Sequence, residues 1–320
     1  MKKLLKLIFA IAIFTLGANQ IFAQEEIYLK TLNGVELTKE QYNNLIKSFD
    51  HNTIITMNAE MLEEIKNETD FKSVSKEKYI KSTIVYDQGQ VVSLNEEEVS
   101  LNEFTNSDVT EPIYVPIQVA ATETTYRRLK MTIVVWGSGS NNMAITLTNT
   151  WKQLPSMKTY DVLAIAPGLS VSLKASGYKS AYQEYDGNII NYSVTGDKWN
   201  EVKGNVIFGK GIGISQNLVD AATSSIENSM TYRVTALAPN QYPYQVRGAY
   251  AHAIVDTPLA QSKKYTLGSG GIGNLIIFNS SVASHYESSS ADGIQMAYNG
   301  DQTIWWLFIN QFYVIFTIEE

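Results

Sequence analysis

The chain has 320 residues, a formal net charge of −7, 44% hydrophobic and 18% charged residues, which is the composition of a protein with a sizeable core. It has no cysteine, so disulfides, thiolate metal sites and a cysteine nucleophile are excluded. Three histidines leave little material for metal binding or acid–base chemistry, and a chain of this size draws its stability from burial.

Lys2, Lys3 and Lys6 precede an apolar run from Leu7 to Leu16, and Ile21-Phe22-Ala23 stands before Gln24. This order predicts an export signal over residues 1–23, and the run is short for a membrane span. Charge is uneven beyond it. Between Gln24 and Pro112 there are 18 acidic and 8 basic residues, and from Ile113 to Glu320 there are 14 of each. No basic surplus exists anywhere, which argues against nucleic acid as a partner.

Residues 24–112 read as an acidic helical segment with a short hairpin and a linker. Thr38 and Gln41 have capping-box spacing, Leu37 and Tyr42 can form a hydrophobic staple, and Tyr42, Leu45, Ile46 and Phe49 follow helical spacing. Asp50-His51-Asn52 reads as a break. Asn58 caps a second stripe of Met61, Leu62 and Ile65. Tyr79–Tyr86 suits a strand that returns at Val91-Val92. Glu96-Glu97-Glu98 reads as a solvated connection, since adjacent carboxylates cannot all face one Ca²⁺ ion without a dedicated loop.

Residues 113–320 read as an antiparallel β domain. Met131–Ala166 carries three apolar runs that predict a three-strand meander. In its middle run Met143, Ile145, Leu147, Asn149 and Trp151 share one face, with Thr146, Thr148 and Thr150 on the other. Further strands are predicted at Ile113–Val119, Ser170–Ser176, Ser180–Tyr185, Asn188–Val194, Lys198–Phe208, Met230–Ala238, Tyr244–Val255, Lys263–Leu267, Gly273–Phe278 and Ile294–Tyr298. Asp186-Gly187 and Asn299-Gly300 are hairpin signals, and Gln216–Ile226 has a weak helical pattern. Thr303–Ile318 is strongly apolar, but Asn310-Gln311 interrupt it, so buried strands fit it better than a span. Strands this short, joined by tight turns, predict a mainly β protein: an antiparallel β-sandwich or barrel preceded by a small helical N-terminal segment.

The chemistry-bearing residues are sparse. No HExxH or GxSxG pattern occurs, and no two histidines have metal-ligand spacing. His252 with Asp256 is the best base–acid pair by sequence, but four residues along a strand set them about 13 Å apart. Asp161 lies in an apolar run and requires a partner, for which Arg127 or Arg128 is available. The glycines around 209–213 and 268–273 lack the Lys-Ser/Thr of a phosphate loop and read as turns or close backbone approaches. No catalytic residue, metal ligand or cofactor is assigned. The aromatics are the lead to binding: Tyr182, Tyr185, Tyr192, Tyr244, Tyr250 and His252 are the candidate ligand-binding residues, on the expectation that such rings are exposed in rows.

The stretches LTKEQYNNL, WKQLPSMKTYDVLAI and GAYAHA together resemble a group of uncharacterised secreted β-rich proteins of low-GC Gram-positive (Bacillus-like) bacteria. The resemblance implies export, a short helical segment and a β-rich remainder, and brings no activity or functional residue with it. The function expected from the sequence is therefore that of an exported, non-catalytic protein binding cell-envelope or glycan material. A membrane-active β protein, pore-forming or lipid-binding, with a membrane surface as its partner, is one alternative. A secreted hydrolase using His252 or His285 as base is the other.

Overall fold

The computed structural model describes residues 26–88, 90–107, 121–137, 142–168, 171–173, 178–193, 195–203, 210–220, 223–236, 244–268, 275–287 and 293–298. The expected export signal, the strand at Ile113–Val119, the Asn299-Gly300 hairpin and the run Thr303–Ile318 lie outside them.

An N-terminal layer comes first. Strands β1 (Ile27–Lys30) and β2 (Glu36–Thr38) form a hairpin, followed by helices α1 (Lys39–Leu45), α2 (His51–Thr56) and α3 (Ala59–Ile65). The Thr38–Gln41 capping box forms as its spacing predicts, and the Asn58 side chain caps α3. Asp50-His51-Asn52 does break the first helix, but it also starts another. The Asp50 carboxylate accepts from Thr53 N at 2.7 Å as an N-cap, so one residue type serves as both stop and start.

The remaining elements are β3 (Lys72–Asp87), β4 (Gln90–Val99), α4 (Leu101–Asn106), β5 (Ala121–Trp136), β6 (Asn142–Gln153), β7 (Tyr160–Pro167), β8 (Val171–Leu173), β9 (Lys179–Tyr185), β10 (Asn188–Asn191), β11 (Trp199–Lys203), β12 (Lys210–Asn217), β13 (Ile226–Ala236), β14 (Tyr244–Ala251), α5 (Leu259–Ser262), β15 (Tyr265–Leu267), β16 (Ile276–Phe278) and β17 (Gly293–Tyr298). They build two facing antiparallel sheets. The larger runs β10-β9-β13-β6-β5-β3-β4, with β8 also paired to β13, and the smaller runs β11-β12-β7-β14-β17. The protein is a mainly β, antiparallel β-sandwich with a helical N-terminal segment.

Alternation in the strands sorts residues into layers. Met131, Ile133, Met143, Ile145, Leu147, Trp151, Met230 and Val234 of the large sheet meet Leu163, Ile165, Ile214, Val246 and Tyr250 of the small one. Val134, Trp136 and Ala144, on the opposite face of the large sheet, pack under Leu37, Leu45, Ile54, Met61 and Ile65 of the N-terminal layer. The outer face of the small sheet is covered by the β15–β16 hairpin. Gly211 and Gly213 permit that cover. A Cβ on Gly211 would stand 2.0 Å from Leu267 Cδ1, and one on Gly213 would stand 1.9 Å from the Tyr265 hydroxyl. Close approach, as expected from the sequence, is the reason for that glycine pair.

Four expectations need correction. The three-strand meander does not form: β5 and β6 pair, but β7 leaves at the Leu154-Pro155 corner and pairs with β12 and β14 in the other sheet. The division at residue 112 falls within one sheet, because β3 pairs with β5 over its whole length and the acidic segment's hairpin is thereby the sheet's edge. Gln216 belongs to β12, and residues 218–220 and 223–225 are loop rather than helix. Glu96-Glu97-Glu98 is part of β4, and the Glu96 side chain is fully buried. By contrast the Asp186-Gly187 turn joins β9 to β10 as expected, with φ of 46° and 78°, the paired positive values of a tight hairpin turn.

Candidate functional site

The polar residues that sequence reading could not place gather between the two sheets. Asp161 points inward from β7, and Tyr250 and His252 come from β14 and the residue beyond its end. His252 Nδ1 lies 3.0 and 3.2 Å from the two Asp161 oxygens, and Ala253 N donates to Asp161 at 2.9 Å. The Tyr250 hydroxyl donates to Asp161 and accepts from Trp151 Nε1 at 3.0 Å. Burial, and after it the charge of Asp161, pushes the Tyr250 phenol well above its ordinary range, so it remains a donor. Because a carboxylate only accepts, the Nδ1 proton of His252 belongs on the Asp161 side. Its Nε2 has no hydrogen-bond partner among the described residues.

A second group adjoins the first. Arg127, inward on β5, donates to Ser82 Oγ at 2.9 Å and to Glu96 at 2.6 Å, and stands 3.0 Å from Glu287. All three charged side chains are fully buried. The guanidinium also lies 5.2 Å from the Trp151 ring centroid and 5.8 Å from that of Tyr250, which ties the ion group to the Asp161 group through two aromatic faces. A third, neutral row continues the site across the large sheet. Gln183 Nε2 donates to Asn228 at 2.9 Å, and Asn149, in register with Asn228, has no hydrogen bond on either amide atom among the described residues.

The expected ligand-binding residues are not an exposed row. Tyr182, Tyr192, Tyr250 and His252 are buried, and Tyr185 is half-buried at the core's edge. Tyr182 faces the N-terminal layer, donating to Glu227 at 2.8 Å, whereas Tyr185 lies on the inner side of the same strand. Tyr244 opens β14 in register with Tyr298. The rings separate because neighbouring strand positions point to opposite faces, one toward the core between the sheets and the other, at Tyr182, toward Asp50 of the N-terminal layer. Structure brings Tyr250 and His252 together and adds Asp161, Trp151, Arg127, Glu96 and Glu287, while Tyr185 and Tyr192 meet elsewhere in the same core. Arg127 does not pair with Asp161 as expected. The ring of Tyr250 intervenes, and Asp161 takes its partners from β14. The available signal is Asp161 inside an apolar run; its partner strand is not legible in the sequence.

The class these residues define is a two-sheet antiparallel sandwich with a sealed polar interior and a helical layer over one outer face. No family model matches the chain, and no curated protein matches it. Among solved structures it is similar to the collagen-binding domain of a Staphylococcus aureus adhesin, at 7% identity over 50% of this chain and 88% of that one, with a TM-score of 0.28. It is likewise similar to the collagen-binding subdomain of an Enterococcus faecalis surface protein (11%, 50% and 88%, TM-score 0.28) and to the pilus backbone of Streptococcus pneumoniae (9%, 55% and 54%, TM-score 0.25). Scores of this size transfer nothing to the present chain, whose own residues must carry any functional reading. No helix among the described residues is long and apolar enough to cross a membrane.

Proposed function

We propose that the protein is an exported, non-catalytic binding protein of the cell envelope, with saccharide material as its partner. The observation that carries the non-catalytic reading is the sealing of the acid–base groups: Asp161 and Tyr250 are 0% exposed and His252 is 1% exposed. General acid–base catalysis needs a substrate proton within hydrogen-bond reach. Around His252 the Asp161 carboxylate fills one side of the ring, and Trp151 packs edge-on at 5.1 Å. Among the described residues no serine or threonine hydroxyl bonds to Nε2, so no hydrolytic triad is assembled among them. The cluster instead cross-links two sheets.

One observation favours a second reading. The aspartate–histidine pair has the geometry of a catalytic dyad, with one nitrogen oriented and the other unengaged. The two readings separate in one experiment. The full chain is incubated with insoluble cell-wall material, and both retained protein and released soluble sugar are measured, alongside a His252→Ala, His285→Ala variant. The binding reading expects retention without release. Sugar release by the wild type that is lost in the double variant would establish the hydrolase instead, and absence of retention on any envelope fraction would reject binding.

A further inference from the structure

The sandwich buries Tyr182, Tyr192 and Tyr250, three of the tyrosines expected to bind, yet an exposed ring cluster exists elsewhere. Tyr28 of β1 is 54% exposed, Tyr42 of α1 is half-buried and His51, the first residue of α2, is exposed. Their ring centroids are 5.3 Å apart for Tyr28–Tyr42 and 6.0 Å for Tyr42–His51, with interplanar angles of 46° and 74°. The Tyr42 hydroxyl and His51 Nδ1 are 3.0 Å apart and hold the last two rings in place. Exposed Ile46, the C-cap of α1, sits one turn after Tyr42 on the same side. Of the seven large exposed apolar side chains among the described residues, Ile27, Tyr28, Leu32 and Ile46 belong to this N-terminal layer, so exposure of apolar surface is concentrated there.

Resting on the binding reading above, we propose that Tyr28, Tyr42 and His51 form the saccharide-binding site, and that its ligand is a neutral oligosaccharide. Charge selects this occupant. Residues 26–70 carry nine acidic and four basic side chains, and two of the lysines are already paired, Lys30 with Glu36 at 3.4 Å and Lys66 with Glu63 at 2.6 Å. An anionic lipid surface or an anionic polymer meets repulsion here. The polar neighbours on α1 are neutral amides, Gln41, Asn43 and Asn44. Gln41 Nε2 donates to Asn67, and Asn44 accepts from Lys47 at 3.0 Å, so both are held at the surface. Tilted rings present apolar faces to the C–H face of a sugar, while the phenol, imidazole and amides can exchange hydrogen bonds with its hydroxyls.

The test is titration calorimetry of the full chain with chitohexaose and with cellohexaose, beside sedimentation with vesicles of pure phosphatidylglycerol. Tyr28→Ala and His51→Ala are the variants, both at exposed positions where folding is retained, and circular dichroism with thermal melting checks this. The proposal expects saturable binding to at least one hexasaccharide, a loss of about tenfold or more in affinity in each variant, and no sedimentation with vesicles. Saccharide binding left unchanged in both variants overturns this site while the general binding reading stands. No binding to insoluble wall material or to either sugar overturns both. Sedimentation with phosphatidylglycerol that Tyr28→Ala abolishes overturns the saccharide assignment in favour of a membrane.

Discussion

Replacing Arg127 by methionine should be among the most damaging single changes available in this chain. The side chain is fully buried and its guanidinium serves Glu96 at 2.6 Å, Glu287 at 3.0 Å and Ser82 at 2.9 Å. Methionine keeps most of the volume, so little of the effect is a cavity. What remains is two carboxylates, both fully buried, without the cation between them. Breaking a buried pair in this way costs about 3–5 kcal/mol. Loss of the guanidinium over Trp151 and Tyr250 adds about 0.5–2 kcal/mol. Urea unfolding followed by tryptophan fluorescence measures the change. At about 2–4 °C per kcal/mol, the corresponding drop in Tm is about 7–28 °C. The triple variant Arg127→Met, Glu96→Gln, Glu287→Gln should recover most of the loss, because none of these three side chains then carries a charge. A cost below about 1 kcal/mol for the single variant, or a triple variant no more stable than the single, would refute the assignment of a buried charge cluster.

Three further outcomes are expected. Gly211→Ala should lose about 1–3 kcal/mol in the same unfolding assay, because its Cβ meets the Ile165 carbonyl oxygen at 2.7 Å as well as Leu267; Gly196→Ala, with open space around it, should change stability by less than about 0.5 kcal/mol, and equal effects would disprove the close-approach account. Asn149→Leu should stabilise by about 1–3 kcal/mol, since it replaces a buried amide that has no hydrogen bond among the described residues by an apolar group of similar size; destabilisation would mean that a buried water serves that amide. Burial, against the hydrogen bonds from Tyr182 and Thr150, raises the Glu227 carboxyl above its ordinary range, although Asp50 adds to the rise and Arg128 opposes it. The folded state thus binds that proton more tightly than the unfolded state, so the ionised group costs stability at neutral pH, and the cost disappears as pH falls below the ordinary carboxylate range. Glu227→Gln should therefore be more stable than wild type at pH 7, with the gap closing under acid, and parallel pH profiles would contradict the shift.

The sequence made the local structure legible where one residue's chemistry decides it. Thr38 and Gln41 specify a helix start whatever lies around them, Asp186-Gly187 specifies a tight turn, and the alternation of Met143, Ile145, Leu147 and Trp151 specifies an inward face, all four being fully buried. What failed was anything set by pairing between distant segments. The β6–β7 connection reads as a turn, and only the partner strands show that it crosses between sheets. Sequence proximity sets His252 beside Asp256, yet its partner Asp161 is 91 residues away. The tyrosines cluster in sequence, but successive strand positions send Tyr182 and Tyr185 to different layers. Period-two patterns report that a face is covered without saying by what, and a sheet with both faces covered gives no free ridge.

The three consecutive glutamates of β4 connect these points. In register, Glu96 stands opposite Ser82, Glu97 opposite Lys81 and Glu98 opposite Ile80. Glu96 turns inward to Arg127, Glu97 turns outward to Lys81 at 3.3 Å, and Glu98 reaches Lys78 at the rim at 3.0 Å. Identical residues thus have three different fates, fixed by strand pairing alone. A slip of β4 by one position would turn Glu96 into solvent and drive a neighbouring side chain toward Arg127 from the wrong height, while every other side chain of the strand changed face. The apolar content of β4 is too slight to forbid such a slip: its side chains are exposed or half-buried apart from Glu96. The buried ion group supplies the discrimination that the hydrophobic pattern lacks at this edge, since a one-position slip withdraws Glu96 from Arg127. On this account the interior charges position the last strand of the large sheet, and the same requirement that keeps them paired keeps them sealed from any substrate.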